Sequence, residues 1–171
     1  MPELPEVEIV KRSLFKKVNK TKIIDIKINN NNLRYKIPNE FCEQLINEKI
    51  INISRRAKYL IFHFKNKILL LHLGMTGKLL IKRNFDNEIL EKKFYYNLNI
   101  LPKHNHIFFT LNNGLILIYN DVRRFGFFKF YKNTKLKKIT FLSKLGIEPL
   151  TKFFNIFYFK KSIKNKKMNI K

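Results

Sequence analysis

At 171 residues the chain has room for one sizeable core and part of a second domain. Its 45% hydrophobic content excludes a disordered polymer, its single cysteine excludes an internal disulfide or a cysteine-built zinc site, and no apolar run reaches membrane-spanning length. Lys plus Arg number 36 against 12 Asp plus Glu, and the net charge of +24 points to an anionic partner, nucleic acid first. Part of that excess follows the same A/T-rich codons that supply the many Asn, Ile, Phe and Tyr.

Pro5 suits a first helical position, and Glu6 and Glu8 suit a first turn. Val7, Val10, Leu14 and Val18 then recur at helical spacing, with Lys11, Arg12, Lys16 and Lys17 on the other side. Ile24, Ile26 and Ile28 alternate with Asp25 and Lys27, which predicts a half-buried strand. Asn29 to Asn32 form a polar turn. Asn39 is placed to cap a short helix burying Phe41, Leu45 and Ile46, with Cys42 as a small apolar filler beside them. Ile51 and Ile53 begin a strand that runs through Arg55-Arg56-Ala57-Lys58.

Residues 59–64 and 67–73 flank Lys65-Asn66 as a hairpin, and 74–77 interrupts a sheet that Leu79-Leu80-Ile81 resumes. Residues 84–103 read as a loop. Residues 107–111 and 115–119 flank Asn112-Asn113-Gly114 as a second hairpin, and 127–131 is a further strand. The expected fold is α+β, mostly β: a two-layer β-sandwich of about eight strands flanked by two helices. The expected division is a sandwich domain over 1–144, a linker over 145–150, and a short helical segment over 151–171 that Thr151 caps. The acidic, amphipathic start lacks a signal-peptide pattern, so a cytoplasmic monomer is expected.

The chemistry concentrates at the start. A Met followed by Pro is removed, which leaves Pro2 as a terminal secondary amine beside Glu3. An α-amino group, with a reference pKa of about 8, is far nearer neutrality than Lys at about 10.4. It can attack a sugar C1′ and form an iminium, with Glu3 moving protons. The helix dipole lowers the amine pKa while Glu3 and Glu6 raise it, and the sequence leaves that balance open. The plain alternative is that Pro2 and Pro5 only stiffen a leader.

Five stretches stand beside this one: Arg55-Arg56-Ala57-Lys58-Tyr59-Leu60, His72-Leu73-Gly74-Met75-Thr76-Gly77, Lys103-His104-Asn105-His106, Asp121-Val122-Arg123-Arg124-Phe125-Gly126 and Leu145-Gly146-Ile147-Glu148-Pro149-Leu150. With Pro2-Glu3-Leu4-Pro5-Glu6, their order and spacing closely resemble the N-terminal domain of the bacterial formamidopyrimidine-DNA glycosylases. Leu4, where the related endonuclease VIII has Gly, resembles the former branch. The resemblance implies a base-excision DNA glycosylase and AP lyase acting on oxidised purines such as 8-oxoguanine and formamidopyrimidines. It matches Pro2 to the nucleophile, Glu3 to the proton carrier and Lys58 to a catalytic lysine. It matches Met75, Arg123 and Phe125 to residues that enter the duplex, and His72 and His104 to phosphate contacts. The implied partner is double-stranded DNA carrying an oxidised purine or an abasic site.

Elementary physics suits these roles. A base must leave the stack before C1′ can be attacked, at a cost of a few kcal/mol, and an apolar wedge offsets that cost. Met75 is unbranched and adaptable and sits in a glycine turn, and Arg123 can donate to an orphaned base. Packing in the core is the alternative for Met75 and Phe125, a solvated face for Lys58, and plain hydrogen bonding for His72 and His104. His104 and His106, without a nearby Asp or Cys, make a poor metal site. Asn105 and Val122 depart from the family pattern, which has Asp and Pro there. The resemblance stops near 164–171, at the start of the family's helix–two-turn–helix domain and four-cysteine zinc finger. No metal or other cofactor is therefore expected in this chain, with activity impaired to match. A non-catalytic nucleic-acid-binding remnant of the enzyme is the competing expectation.

Overall fold

The computed structural model describes residues 2–83, 100–132 and 136–166. Helix α1 (Leu4–Val18) buries Val7, Val10, Leu14 and Val18, the stripe that its spacing predicts. Pro5 lies in its first turn, where a missing N–H leaves no helix bond unmade, and Lys16 and Lys17 lie in its last turn, where the dipole favours cations.

The strands are β1 (Ile23–Ile28), β2 (Asn52–Arg56), β3 (Tyr59–His63), β4 (Lys67–His72), β5 (Lys78–Arg83), β6 (Asn105–Leu111), β7 (Leu115–Asn120) and β8 (Phe127–Lys132). They form two antiparallel four-stranded sheets, ordered β1-β6-β7-β5 and β2-β3-β4-β8. This is the expected mostly-β sandwich. Its core joins Phe62, Leu71 and Phe128 of one sheet to Phe109, Leu117 and Tyr119 of the other. α1 packs on β2 and β3.

Several local expectations change. β5 does not resume the sheet of β4 but pairs with β7 in the other sheet, so residues 73–77 are a crossing between layers. Ile24 is exposed because a register shift between Ile23 and Asp25 turns Ile23 inward in its place. The short helix α2 (Phe41–Leu45) starts from Glu40 rather than Asn39. Of the expected loop 84–103, residues 84–99 lie outside the described residues, and 102–104 form a single 3₁₀ turn.

Two compact units make up the chain, Met1–Thr134 and Lys135–Lys171. They part ten residues before the border expected after 144, because the last strand ladder ends at Lys132. The second unit holds the short helix α3 (Thr140–Ser143) and helix α4 (Ile156–Ile163). Asn155, not Thr151, caps α4: its side chain accepts from the Tyr158 N–H, while the Thr151 hydroxyl donates to the Glu148 carbonyl.

Register defines one end of the sandwich. Tyr59 pairs with His72, and His72 pairs with Phe127. Their rings touch, with Tyr59–His72 centroids 5.0 Å apart and His72 stacked on Phe127 at 5.6 Å. Just past this row lie three connections: the tight turn at Ala57-Lys58, the crossing at 73–77, and the return crossing at 121–126.

Candidate active site and DNA-facing loops

Half-buried Pro2 directly precedes Glu3, whose extended backbone opens α1 and whose carbonyl accepts the Val7 N–H at 3.1 Å. Lys58 Nζ stands 2.6 Å from Glu3 Oε2. Two residues 55 positions apart are thus joined beside the candidate nucleophile. Lys58 reaches there because Ala57 takes a left-handed conformation, φ +49°. Arg55 holds that turn from below: its Nη1 donates to the Ala57 carbonyl and its Nε donates to Glu8 Oε2, both at 2.8 Å. Glu8 lies on α1, so helix and turn are tied on both sides of the pair.

Burial pushes the Glu8 carboxyl up, but hydrogen bonds from Arg55, Lys11 and Arg12 outweigh it and hold the group at about 2, below its ordinary 4.5. A lowered folded-state pKa contributes stability that is fully present above about 4.5 and is lost as pH falls toward 2. Thermal melts across that window should show a falling midpoint, with a flatter fall in Glu8→Gln. Identical slopes would mean that the tie carries no pH-dependent stability.

The two crossings carry the other candidates. Met75 and Phe125 are 41% and 42% exposed, which removes them from the core and fits side chains that project. Arg124 is left-handed, φ +56°, and the sharp turn sets the Arg123 guanidinium 4.5 Å from the centre of the Phe125 ring. An open groove lined by Asn32, Arg34, Arg123, Arg124 and Phe125 adjoins them, a concentration of cationic side chains fit for an anion.

Beneath the loops lies Asp121, fully buried. Its Oδ1 accepts from the Thr76 hydroxyl, and its Oδ2 accepts from the Tyr119 hydroxyl and the Gly126 N–H, each at 2.9 Å. Thr76 Oγ1 in turn accepts the Arg123 N–H at 3.1 Å. Burial, then the charge of Asp121, pushes the Tyr119 phenol far up, so it remains a donor. Glycines let the loops touch: a Cβ on Gly74 would lie 2.5 Å from the Gly126 nitrogen.

His72 is half-buried. Burial, and then the charges of Arg34 and Lys58, push its imidazole below the usual range, and its Nδ1 accepts the Gly74 N–H at 3.0 Å. It is thus a neutral support of the Met75 loop and feels Lys58 from the other group of candidates. His104 joins the site through its backbone, accepting the Asp121 N–H at 3.0 Å. His106 is buried, and its Nε2 donates to the Asp121 carbonyl at 2.7 Å. No cluster of metal-binding side chains occurs among the described residues. Thr76, Tyr119 and Asp121 were not singled out from the sequence, although Thr76 and Asp121 stood inside the quoted stretches.

The sequence model of the formamidopyrimidine-DNA glycosylase N-terminal domain matches residues 1–128. The chain belongs to the formamidopyrimidine-DNA glycosylase family. It is 42% identical to a curated formamidopyrimidine-DNA glycosylase of Bartonella tribocorum and 40% identical to one of Rickettsia bellii, in both cases over all of this chain. The chain spans 59% and 58% of the length of those two relatives. Among solved structures, Lactococcus lactis Fpg in complex with abasic-site DNA superimposes with a TM-score of 0.79 at 30% identity, over 96% of this chain and 57% of the other. The complex of the same Fpg with DNA containing N7-benzyl-Fapy-dG gives 0.77, over 96% and 56%. Both departures from the glycosylase pattern are accommodated. Asn105 Oδ1 accepts from Asn120 Nδ2 at 2.7 Å, as a carboxylate would, and Val122 is exposed where a ring can be lost freely.

Proposed function

We propose that the chain is a base-excision DNA glycosylase and AP lyase for oxidised purines, acting as a cytoplasmic monomer on double-stranded DNA. The observation that carries this reading is the Lys58–Glu3 contact beside Pro2, at the end of the sandwich where Met75, Arg123 and Phe125 project. The Pro2 nitrogen attacks C1′ of an extruded nucleotide, the glycosidic bond breaks, and the base departs with the bonding pair and takes up a proton. Glu3 carries protons to and from the sugar, and Lys58 holds its carboxylate and supplies positive charge toward the nucleotide's phosphate. The Pro2 nitrogen gives up its proton, the C1′–O4′ bond opens with its electron pair leaving on O4′, which is protonated, and the resulting iminium acidifies C2′. Loss of the C2′ proton expels the 3′ phosphate, and loss of a C4′ proton then expels the 5′ phosphate.

An abasic site has no base to unstack, so its extrusion costs less than that of a paired purine. Under single-turnover conditions at low salt, abasic duplex should be nicked faster than 8-oxoguanine duplex is excised. Borohydride should trap an adduct that maps to the N-terminal peptide. An adduct mapping only to lysines would remove Pro2 from its role. Tight binding with no reaction on either duplex would favour a non-catalytic nucleic-acid-binding protein.

The wedge is tested separately. An exposed Met75 has little packing to lose, whereas a buried Met cut to Ala costs about 2–5 kcal/mol. Met75→Ala should therefore cost under about 1 kcal/mol of stability yet weaken lesion-duplex binding about tenfold or more. A stability loss in the buried range would return Met75 to the core.

A further inference from the structure

We propose that Thr76 and Asp121 are positioning residues that brace the Met75 loop and the Arg123–Phe125 loop into one rigid wedge. The inference rests on the function proposed above. Its basis is the path of hydrogen bonds between two connections that share no strand pairing of their own. Thr76, next to Met75, donates to Asp121 Oδ1 and accepts the Arg123 N–H. Asp121 Oδ2 accepts the Gly126 N–H, next to Phe125. The Met75 loop is thereby held at Thr76, and the Arg123–Phe125 loop at Arg123 and Gly126, through a single buried carboxylate.

The carboxylate is itself held from two directions. The Tyr119 hydroxyl donates to it, and its backbone is clamped by His104 and His106. The Gly74–Gly126 approach brings the two backbones into contact without side chains between them. Two loops that are joined in this way meet DNA with their relative positions already set, so their ordering cost is met on folding rather than on binding.

Removing Asp121 threatens folding, so the test uses Thr76. Thr76→Val keeps the shape and deletes both hydrogen bonds, and Thr76→Ser restores them. Two readouts are taken. In the DNA-free protein, hydrogen exchange in Thr76→Val should quicken at residues 74–77 and at 122–126 together, while Thr76→Ser matches the parent. Quickening confined to the Arg123 amide would overturn the brace. On abasic duplex with 2-aminopurine beside the lesion, Met75→Ala and Phe125→Ala should be non-additive in the parent, with a coupling of about threefold or more in binding. That coupling should vanish in the Thr76→Val background. Persistence of the coupling would overturn the brace while leaving the glycosylase reading intact. A parent protein that never unstacks the probe would overturn both.

Discussion

A chain that retains Met1 is expected to form no borohydride-trapped adduct with abasic-site DNA. In that chain the Pro2 nitrogen is a tertiary amide, its lone pair is delocalised into the carbonyl, and it can neither attack C1′ nor become an iminium. The same chain with Met1 removed should trap readily. The difference should be at least about a hundredfold in yield, since deleting an activated nucleophile can cost on the order of a millionfold in rate. Mass spectrometry of the intact protein establishes which form is present, and trapping yield is then compared between the two. Equal yields would place the reacting amine elsewhere, with Lys58 the first residue to examine because it already stands at Glu3. Fold and DNA affinity should be unchanged, since α1 begins only at Leu4 and its anchoring residues begin at Val7.

Asp121→Ala should destabilise the protein by about 3–5 kcal/mol, the sum expected when buried neutral donors are left unpaired at about 1–3 kcal/mol each. The substitution strands the Tyr119 hydroxyl and the Gly126 N–H, both buried, and frees Thr76. Gly126→Ala should act in the same direction by another route. Its Cβ would stand 1.8 Å from the Tyr119 hydroxyl oxygen and 2.7 Å from the His72 carbonyl, so the Tyr ring must leave the carboxylate. Urea denaturation of both variants gives the values. A loss below about 1 kcal/mol for Asp121→Ala would mean that the three donors find other partners.

The fold was legible where a single periodicity governs a segment. The stripe Val7, Val10, Leu14, Val18 and the two hairpins follow directly from spacing and turn residues. β5 was misplaced for a physical reason: Gly74-Met75-Thr76-Gly77 reads as an interruption in either case, and nothing local tells a strand which of two sheets it will join. Ile24 was misread because a bulge shifts the inward side by one residue. At the site, Pro2 and Glu3 stood out because a terminal amine is unusual chemistry. Lys58 was set apart from 35 other cations only by the family resemblance, since nothing in its own spacing showed that it would reach Glu3. Asp121 escaped notice because a lone Asp in a loop looks solvated, and only burial among donors reveals a hub.

The strand order has a consequence for how the molecule comes into being. β1 emerges early in synthesis but pairs with β6, so Ile23 waits for Leu111, and β4 waits for β8 across a shorter but still long span. Contacts this distant in sequence slow folding toward the millisecond-to-second range typical of non-local β topologies. Until β6 is made, β1 has no partner, and until β8 is made, one edge of β4 stays open to foreign strands. The two layer crossings can come together only after both sheets close, so the end that carries Met75, Arg123 and Phe125 is assembled last. A nascent chain at 37 °C therefore passes through a stage with its helix formed, its sheets half built and no working site, and that stage is when chaperone demand should be greatest.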